Sequence, residues 1–197
     1  NPRYEIFLRD QRQVGTGIVV GQPGFAELLA GNTQKYLEDF VSRAEFTAQF
    51  PRGESASKYV EALFANVDAT PAPEERDAAT SAYGAGDMSG RVAALKSVIQ
   101  SRSFVTRVYN DAFVLMQYYG YLRRNPDDAP DQNFSGYEFW LAKLNQFTKP
   151  GEDVRDESVA LARVRRAEMV QAFIESAEYR RRFGGAPLGN QEATKLP

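Results

Sequence analysis

Cysteine and histidine are both missing from this chain of 197 residues. Without cysteine there is no disulfide, no thiolate nucleophile, no iron–sulfur ligation and no thiolate-rich zinc site. Without histidine the usual general base near neutral pH is gone, together with every Ser-His-Asp arrangement and nearly all transition-metal sites. An excess of one charge is lacking too: 24 basic side chains face 26 acidic ones, a net charge of -2. A dedicated nucleic-acid binder normally carries a basic excess, so this balance argues against that class. Long apolar runs are also missing. The densest one, Ala112 to Met116, falls far short of the ~20 residues a membrane-spanning helix needs. The absence of cysteine suits a reducing cytoplasm and a bacterial surface protein equally well. No leader segment is visible, and the chain opens on Asn1 instead of Met, which predicts a piece of something longer.

What remains is 43% apolar, enough in a chain of this length for one core or two small ones. Glycine and proline punctuate it. Gly15, Gly17, Gly21, Pro23 and Gly24 surround a short β-branched run, Ile18-Val19-Val20. Pro51-Arg52-Gly53 marks a second loop. Pro71-Ala72-Pro73 precedes Glu74-Glu75-Arg76, a helix start with acids in its first turn. Gly84, Gly86 and Gly90 form a further loop; Asn125 to Gly136 is the longest polar one, and Thr148 to Asp153 follows. Between these breaks the apolar spacing is helical. Tyr59, Leu63, Phe64 and Val67 share one helix face, as do Met169, Ala172, Phe173 and Ala177. Phe113 to Leu122 is apolar nearly all round, which predicts a central buried helix. Tyr4 to Leu8 and Ile18 to Val20 are the strand candidates. The fold class expected is all-α, built from many short helices.

A repeat runs through the chain. Phe40-Val41-Ser42-Arg43-Ala44-Glu45-Phe46 followed by Phe50 has the spacing of Phe173-Ile174-Glu175-Ser176-Ala177-Glu178-Tyr179 followed by Phe183. Val98 to Phe104, then Val108, is a fainter third copy. The motif predicts a helix end, a kink and a new short helix whose two rings stack one turn apart and plug the core. Ser42 with Glu45 has the spacing of a capping box. Leu63-Phe64 ahead of Pro71 matches Tyr118-Tyr119 ahead of Pro126 at the same offset. These repeats predict two related units, 33–104 and 105–184. Residues 1–32 form an N-terminal extension packed on the body, and 185–197 a flexible tail. The second unit has a longer loop and an insertion near 148–162.

Phe113 to Asp128, together with Gly136-Tyr137-Glu138-Phe139-Trp140-Leu141 and the closing Phe173 to Phe183 segment, carries a signature. It runs as a helix, an Arg-x-Pro-Asp-like loop, a Gly-x-x-x-Trp helix and a final Ser-x-Glu-aromatic segment. This resembles the bacterial domain of unknown function 4214, closely over about 105–184 and more loosely over 33–104. Gln132-Asn133-Phe134 departs from the pattern by lengthening the loop between proline and glycine. That family is distantly similar to the linker domain of phycobilisome rods. The resemblance implies a compact bundle of short helices and a setting in large secreted or surface-layer-like bacterial proteins, often beside calcium-dependent β-sandwich repeats. It implies no enzyme activity.

Candidate chemistry is sparse. Asp131, Asn133 and Ser135 stand at positions one, three and five of a calcium-type loop, with Gly136 at six and Asp127 and Asp128 just before. The twelfth position falls on Ala142, where a bidentate glutamate belongs. The plainer reading is a turn whose side chains bond backbone amides and start the Trp140 helix. Arg123 and Arg124 close the central helix and are expected to bond the acidic loop at Asp127 and Asp128. Arg163, Arg165, Arg166 and Arg180-Arg181-Arg182, interspersed with Glu168 and Glu178, read as a solvated or protein-docking rim. The Gly15-Thr16-Gly17 loop lacks the ending of a phosphate loop. No catalytic residue, cofactor or firm metal ligand is expected. The function expected is a non-catalytic interaction or scaffolding module of an extracellular or cell-surface protein. It would be a monomer or weak oligomer with protein partners or other domains of the parent chain. The alternative is a carbohydrate-binding or carbohydrate-active domain. That would use exposed rings among Trp140, Tyr118, Tyr119, Tyr121 and Tyr137, with a carboxylate such as Glu138.

Overall fold

Backbone N–H and C=O groups must be paired once they leave water, and a helix pairs them within four residues without a neighbouring strand. In the computed structural model every regular element among the described residues is a helix. The described residues are 2–149, 152–156 and 160–184, with the side chains of 160–164 excluded. The helices are α1 (Tyr4–Gly15), α2 (Phe25–Ser42), α3 (Ala44–Gln49), α4 (Ala56–Ala65), α5 (Pro73–Tyr83) and α6 (Met88–Gln100). They continue with α7 (Arg102–Gln117), a π-helical turn (Tyr118–Leu122), α8 (Ser135–Asn145), α9 (Ala160–Glu175) and α10 (Ala177–Phe183). The all-α expectation holds. No helix is long and apolar enough to cross a membrane among the described residues.

Both strand candidates are corrected. Tyr4 to Leu8 opens α1, because a five-residue strand with no partner edge would leave its amides unpaired. Ile18 to Val20 lies in turns between Gly17 and Gly21, both at positive φ, and Val20 is 83% exposed. α2 runs unbroken across residue 32, the expected edge of the N-terminal extension. Asn32 on α2 donates to the carbonyls of Val14 and Thr16 and ties the end of α1 to it.

The chain divides into two compact units, 1–109 and 110 onward, with the division inside α7. In the first unit the core comes from every helix between α2 and α6: Val41, Phe46, Tyr59, Val60, Phe64, Ala79, Val92 and Val98 are among its buried side chains. Gly90 lets α6 approach the end of α5, since a Cβ there would sit 2.0 Å from the Tyr83 carbonyl oxygen. Glu75 fulfils the predicted helix start by accepting from the Ala72 N–H, and it also accepts from the Ser103 amide and hydroxyl. Arg91, 2% exposed, lies under the Tyr59 ring and donates to the carbonyls of Phe50 and Pro51, a cation at the end of α3.

In the second unit Val114, Leu115, Tyr118, Tyr119 and Leu122 are buried, but the expected single helix over 113–122 changes type. Its last turn widens to a π-helix, ended by Arg123 at φ 50°. Tyr118 packs edge-on against Phe173 of α9. Residues 150, 151 and 157–159 of the expected insertion and the tail from 185 lie outside the described residues.

The three repeat copies share one backbone device. Each pair of helices is separated by a single extended residue, Arg43 (φ -61°, ψ 144°), Ser101 (φ -64°, ψ 149°) or Ser176 (φ -60°, ψ 146°). In each, the N–H of that residue donates to the carbonyl three residues back: Phe40, Val98 and Phe173. The carbonyl of the same residue then accepts from the new helix, at Thr47, Val105 and Arg180. The capping box expected at Ser42 is not formed there. The break falls one residue later, and the Ser42 hydroxyl donates back to the Glu38 carbonyl. The ring stacking holds in both strong copies, with Phe46–Phe50 centroids 4.7 Å apart and Tyr179–Phe183 5.1 Å. Core plugging holds in one only, because Phe46 and Phe50 are buried while Phe183 is 40% exposed.

Candidate functional site

Two features stand out among the described residues, one in each unit. In the first unit a cavity of about 870 Å³ opens to solvent. Its floor is apolar: Phe40, Phe46 and Phe50 from α2, α3 and the residue after α3, with Leu63, Leu95 and Val98 from α4 and α6. Val67, Ile99 and Phe104 complete the wall, and α1 supplies one side through Ile6, Arg9 and Gln13, spaced along one helix face. Phe40, Phe46 and Phe50 form a ring chain with successive centroids 5.2 and 4.7 Å apart.

The rim is polar, and its charges are largely spent on each other. Asp10 of α1 accepts from both terminal nitrogens of Arg43 at 3.2 Å, from Arg9 at 3.0 Å and from the Tyr36 hydroxyl at 3.0 Å. Arg43 turns also to Asp39 at 3.0 Å. Burial alone would raise the Asp10 carboxyl, but these donors outweigh it and hold it below the ordinary carboxylate value. Burial and the adjoining carboxylate push the Tyr36 hydroxyl up to about 12. Gln49 donates to Asn66 across the mouth. Glu45 is exposed and makes no ion pair among the described residues.

The candidates read from the sequence all fall in the second unit, and most of them serve its own loop. Arg124, 5% exposed, grips Glu178 of α10 at 2.7 and 2.9 Å and Asp131 at 2.6 Å, and it donates to the carbonyls of Asn125, Pro126 and Asp128. It thus reaches the expected loop at the Asp128 carbonyl, while the Asp128 carboxylate accepts from Asn125. Burial would lower the Arg124 guanidinium, yet Glu178 and Asp131 hold it above its ordinary value. Of the calcium candidates, Asp131 is thus engaged by a cation of the protein, Asn133 accepts from the Ser135 N–H, Ser135 opens α8, and Asp127 lies in the turn before. No cluster of three or more acidic side chains placed to hold a metal occurs among the described residues.

Arg123 sets its guanidinium over the Phe183 ring. Arg165 pairs with Glu168, Arg166 donates to the Val154 carbonyl, and Arg182 donates to the Leu122 carbonyl. The side chain of Arg163 lies outside the described ones. Tyr118, Tyr119 and Tyr137 are buried, whereas Trp140 and Tyr121 are half-buried. Burial, and the Asp131 carboxylate beside it, push the Tyr118 hydroxyl up to about 12.

The most exposed ring among the described residues is not one of those the sugar-binding alternative named. Phe139 is 60% exposed on α8, set edge-on against Trp140 at 5.2 Å, and Lys143 lies over both rings. Glu138 beside it is exposed. Apolar spacing could not reveal this, since Phe139 and Trp140 both look like core residues in a one-dimensional pattern. The cavity was hidden for a different reason: Tyr4 to Leu8 as a strand would not bring Ile6, Arg9 and Gln13 onto one face. Arg91 did leave a signal, because its spacing to Leu95 and Val98 puts a cation on a buried face. Compared with protein-family models, curated proteins and solved structures, the chain matches none of them.

Proposed function

We propose that this chain is a non-catalytic helical interaction module of a larger secreted or surface bacterial protein. It docks protein partners or other domains of its parent chain and takes no part in nucleic-acid binding. The observation that carries the reading is the Phe139–Trp140 pair. Soluble proteins bury such rings, and an exposed aromatic beside a second one, rimmed by Lys143 and Glu138, is the composition of an interface centre. The ionisable side chains point the same way. Asp10, Glu75, Arg91, Arg124 and Glu178 are each engaged in bonds that hold backbone and helices together, which leaves them poorly suited to proton transfer. The surface setting is part of the proposal and follows from the expected resemblance of the second unit.

The test is a photo-crosslinking amino acid at position 139 of the full-length protein in its own cells. Light-dependent adducts of defined mass are expected there and not at the exposed position Gln132. Their absence from position 139 would remove the reading.

The sugar-binding alternative is favoured by one feature, the exposed carboxylate of Glu138 beside the same rings. Trp140 is the only tryptophan in the chain, so its fluorescence reports on that surface alone. A saturable change with a soluble polysaccharide would select the alternative over protein docking.

A further inference from the structure

The interaction reading leaves the apolar cavity in the first unit unused. Its size falls within the range of small-molecule sites, roughly 300–1,000 Å³, and its composition matches them: apolar walls with a few polar groups at the mouth. Water gains little against the rings of Phe40, Phe46, Phe50 and Phe104, whereas an apolar body would remove both surfaces from solvent.

Charge at the rim decides the head group. Arg9 and Arg43 are matched by Asp10 and Asp39 in a closed set of two cations and two anions. Glu45 stands outside that set as the charged rim group without an ion pair among the described residues. A carboxylate or phosphate head would meet this uncompensated negative charge and find the arginines already taken. An ammonium head would be complemented by it.

We propose that this cavity is a binding site for a small cationic amphiphile, its apolar body on the aromatic floor and its ammonium head at Glu45. The inference is independent of the α8 surface, so either can fail alone. α1 covers one side of the site without burying any residue of its own, and Ile6, 42% exposed, supplies the cover's apolar contact.

The test uses three ligands with one chain length: nonylamine, nonan-1-ol and nonanoate, titrated calorimetrically below their aggregation limits. Saturable binding of the amine is expected, with the acid weaker. Glu45→Gln should bring the amine to the level of the alcohol, a loss of about two- to fivefold, as an exposed ion pair warrants. Val67→Trp fills the cavity and should weaken all three ligands at least about tenfold. Ile6→Trp, at an exposed position, does the same if Val67→Trp fails to fold. The proposal is overturned if no ligand binds at millimolar concentration. Equal affinity of amine and acid, or unchanged affinity in a folded filling variant, also overturns it.

Discussion

At the scale of single residues, buried charge is used to hold chain together. Arg124 joins the loop after the π-helical turn to α10 through Glu178, and Asp131 shares its guanidinium. Removing a buried partner leaves the others uncompensated, which costs more than the pair itself contributes. Arg124→Met should therefore lower stability by about 3 kcal/mol in urea unfolding. Because Asp131 already faces this guanidinium, the melting temperature should be the same in millimolar calcium and in chelator. A calcium-dependent rise would mean that the loop exchanges Arg124 for an ion.

Asp10 and Glu75 contribute to the acid response of the first unit. Both carboxyls are held below their ordinary values despite burial, by Arg43, Arg9 and Tyr36 for Asp10 and by Ser103 and the Ala72 amide for Glu75. A depressed folded-state pKa contributes stability that is complete above the unfolded value, about pH 4, and lost as pH falls through the folded one. The urea midpoint should drop on acidification below that point. In Asp10→Asn it should start lower at neutral pH and fall less.

At the scale of elements, the recurring break is a backbone event more than a side-chain one. Arg43, Ser101 and Ser176 differ chemically yet take the same extended conformation and the same two backbone bonds. The serines add a cap: Ser101 accepts from the Phe104 amide and Ser176 from that of Tyr179. Ser176→Ala should cost about 1 kcal/mol. The junction of α5 with α6 depends on Gly90 instead. Gly90→Ala drives a methyl into the Tyr83 carbonyl and should cost about 2 kcal/mol, read from the thermal midpoint.

This is also the scale at which the sequence was most legible. The helix start at Glu74-Glu75, the helical face at Tyr59, Leu63 and Phe64 and the helix–break–helix motif could all be read from spacing, because each is decided within about one turn, whereas Val67 falls in the turn past the end of α4. Ser42 misled by one residue, since a hydroxyl near a helix end can cap forward or bond backward and spacing does not choose. Tyr4 to Leu8 misled because a short apolar run fits both periods.

At the scale of the whole molecule, the charges are nearly balanced, 24 basic against 26 acidic. The net charge of -2, and the local bonds of Arg165, Arg166 and Arg182 among the described residues, support the proposed reading without nucleic-acid binding, which predicts little counterion release on contact with a duplex. A labelled duplex at physiological salt should show no saturable retention. Tight salt-dependent binding would contradict the interaction reading.

Helix content, the positions of the breaks and the absence of cysteine, histidine and membrane-length apolar runs followed from composition and from contacts within a few residues. The destinations of side chains did not. The Asp10–Arg43 pair spans 33 residues and the Arg124–Glu178 pair spans 54. Which apolar rings are covered, such as Phe46, and which are left in water, such as Phe139, depends on helix faces meeting in space. A pattern along the chain says that a ring needs a partner; folding decides whether one arrives.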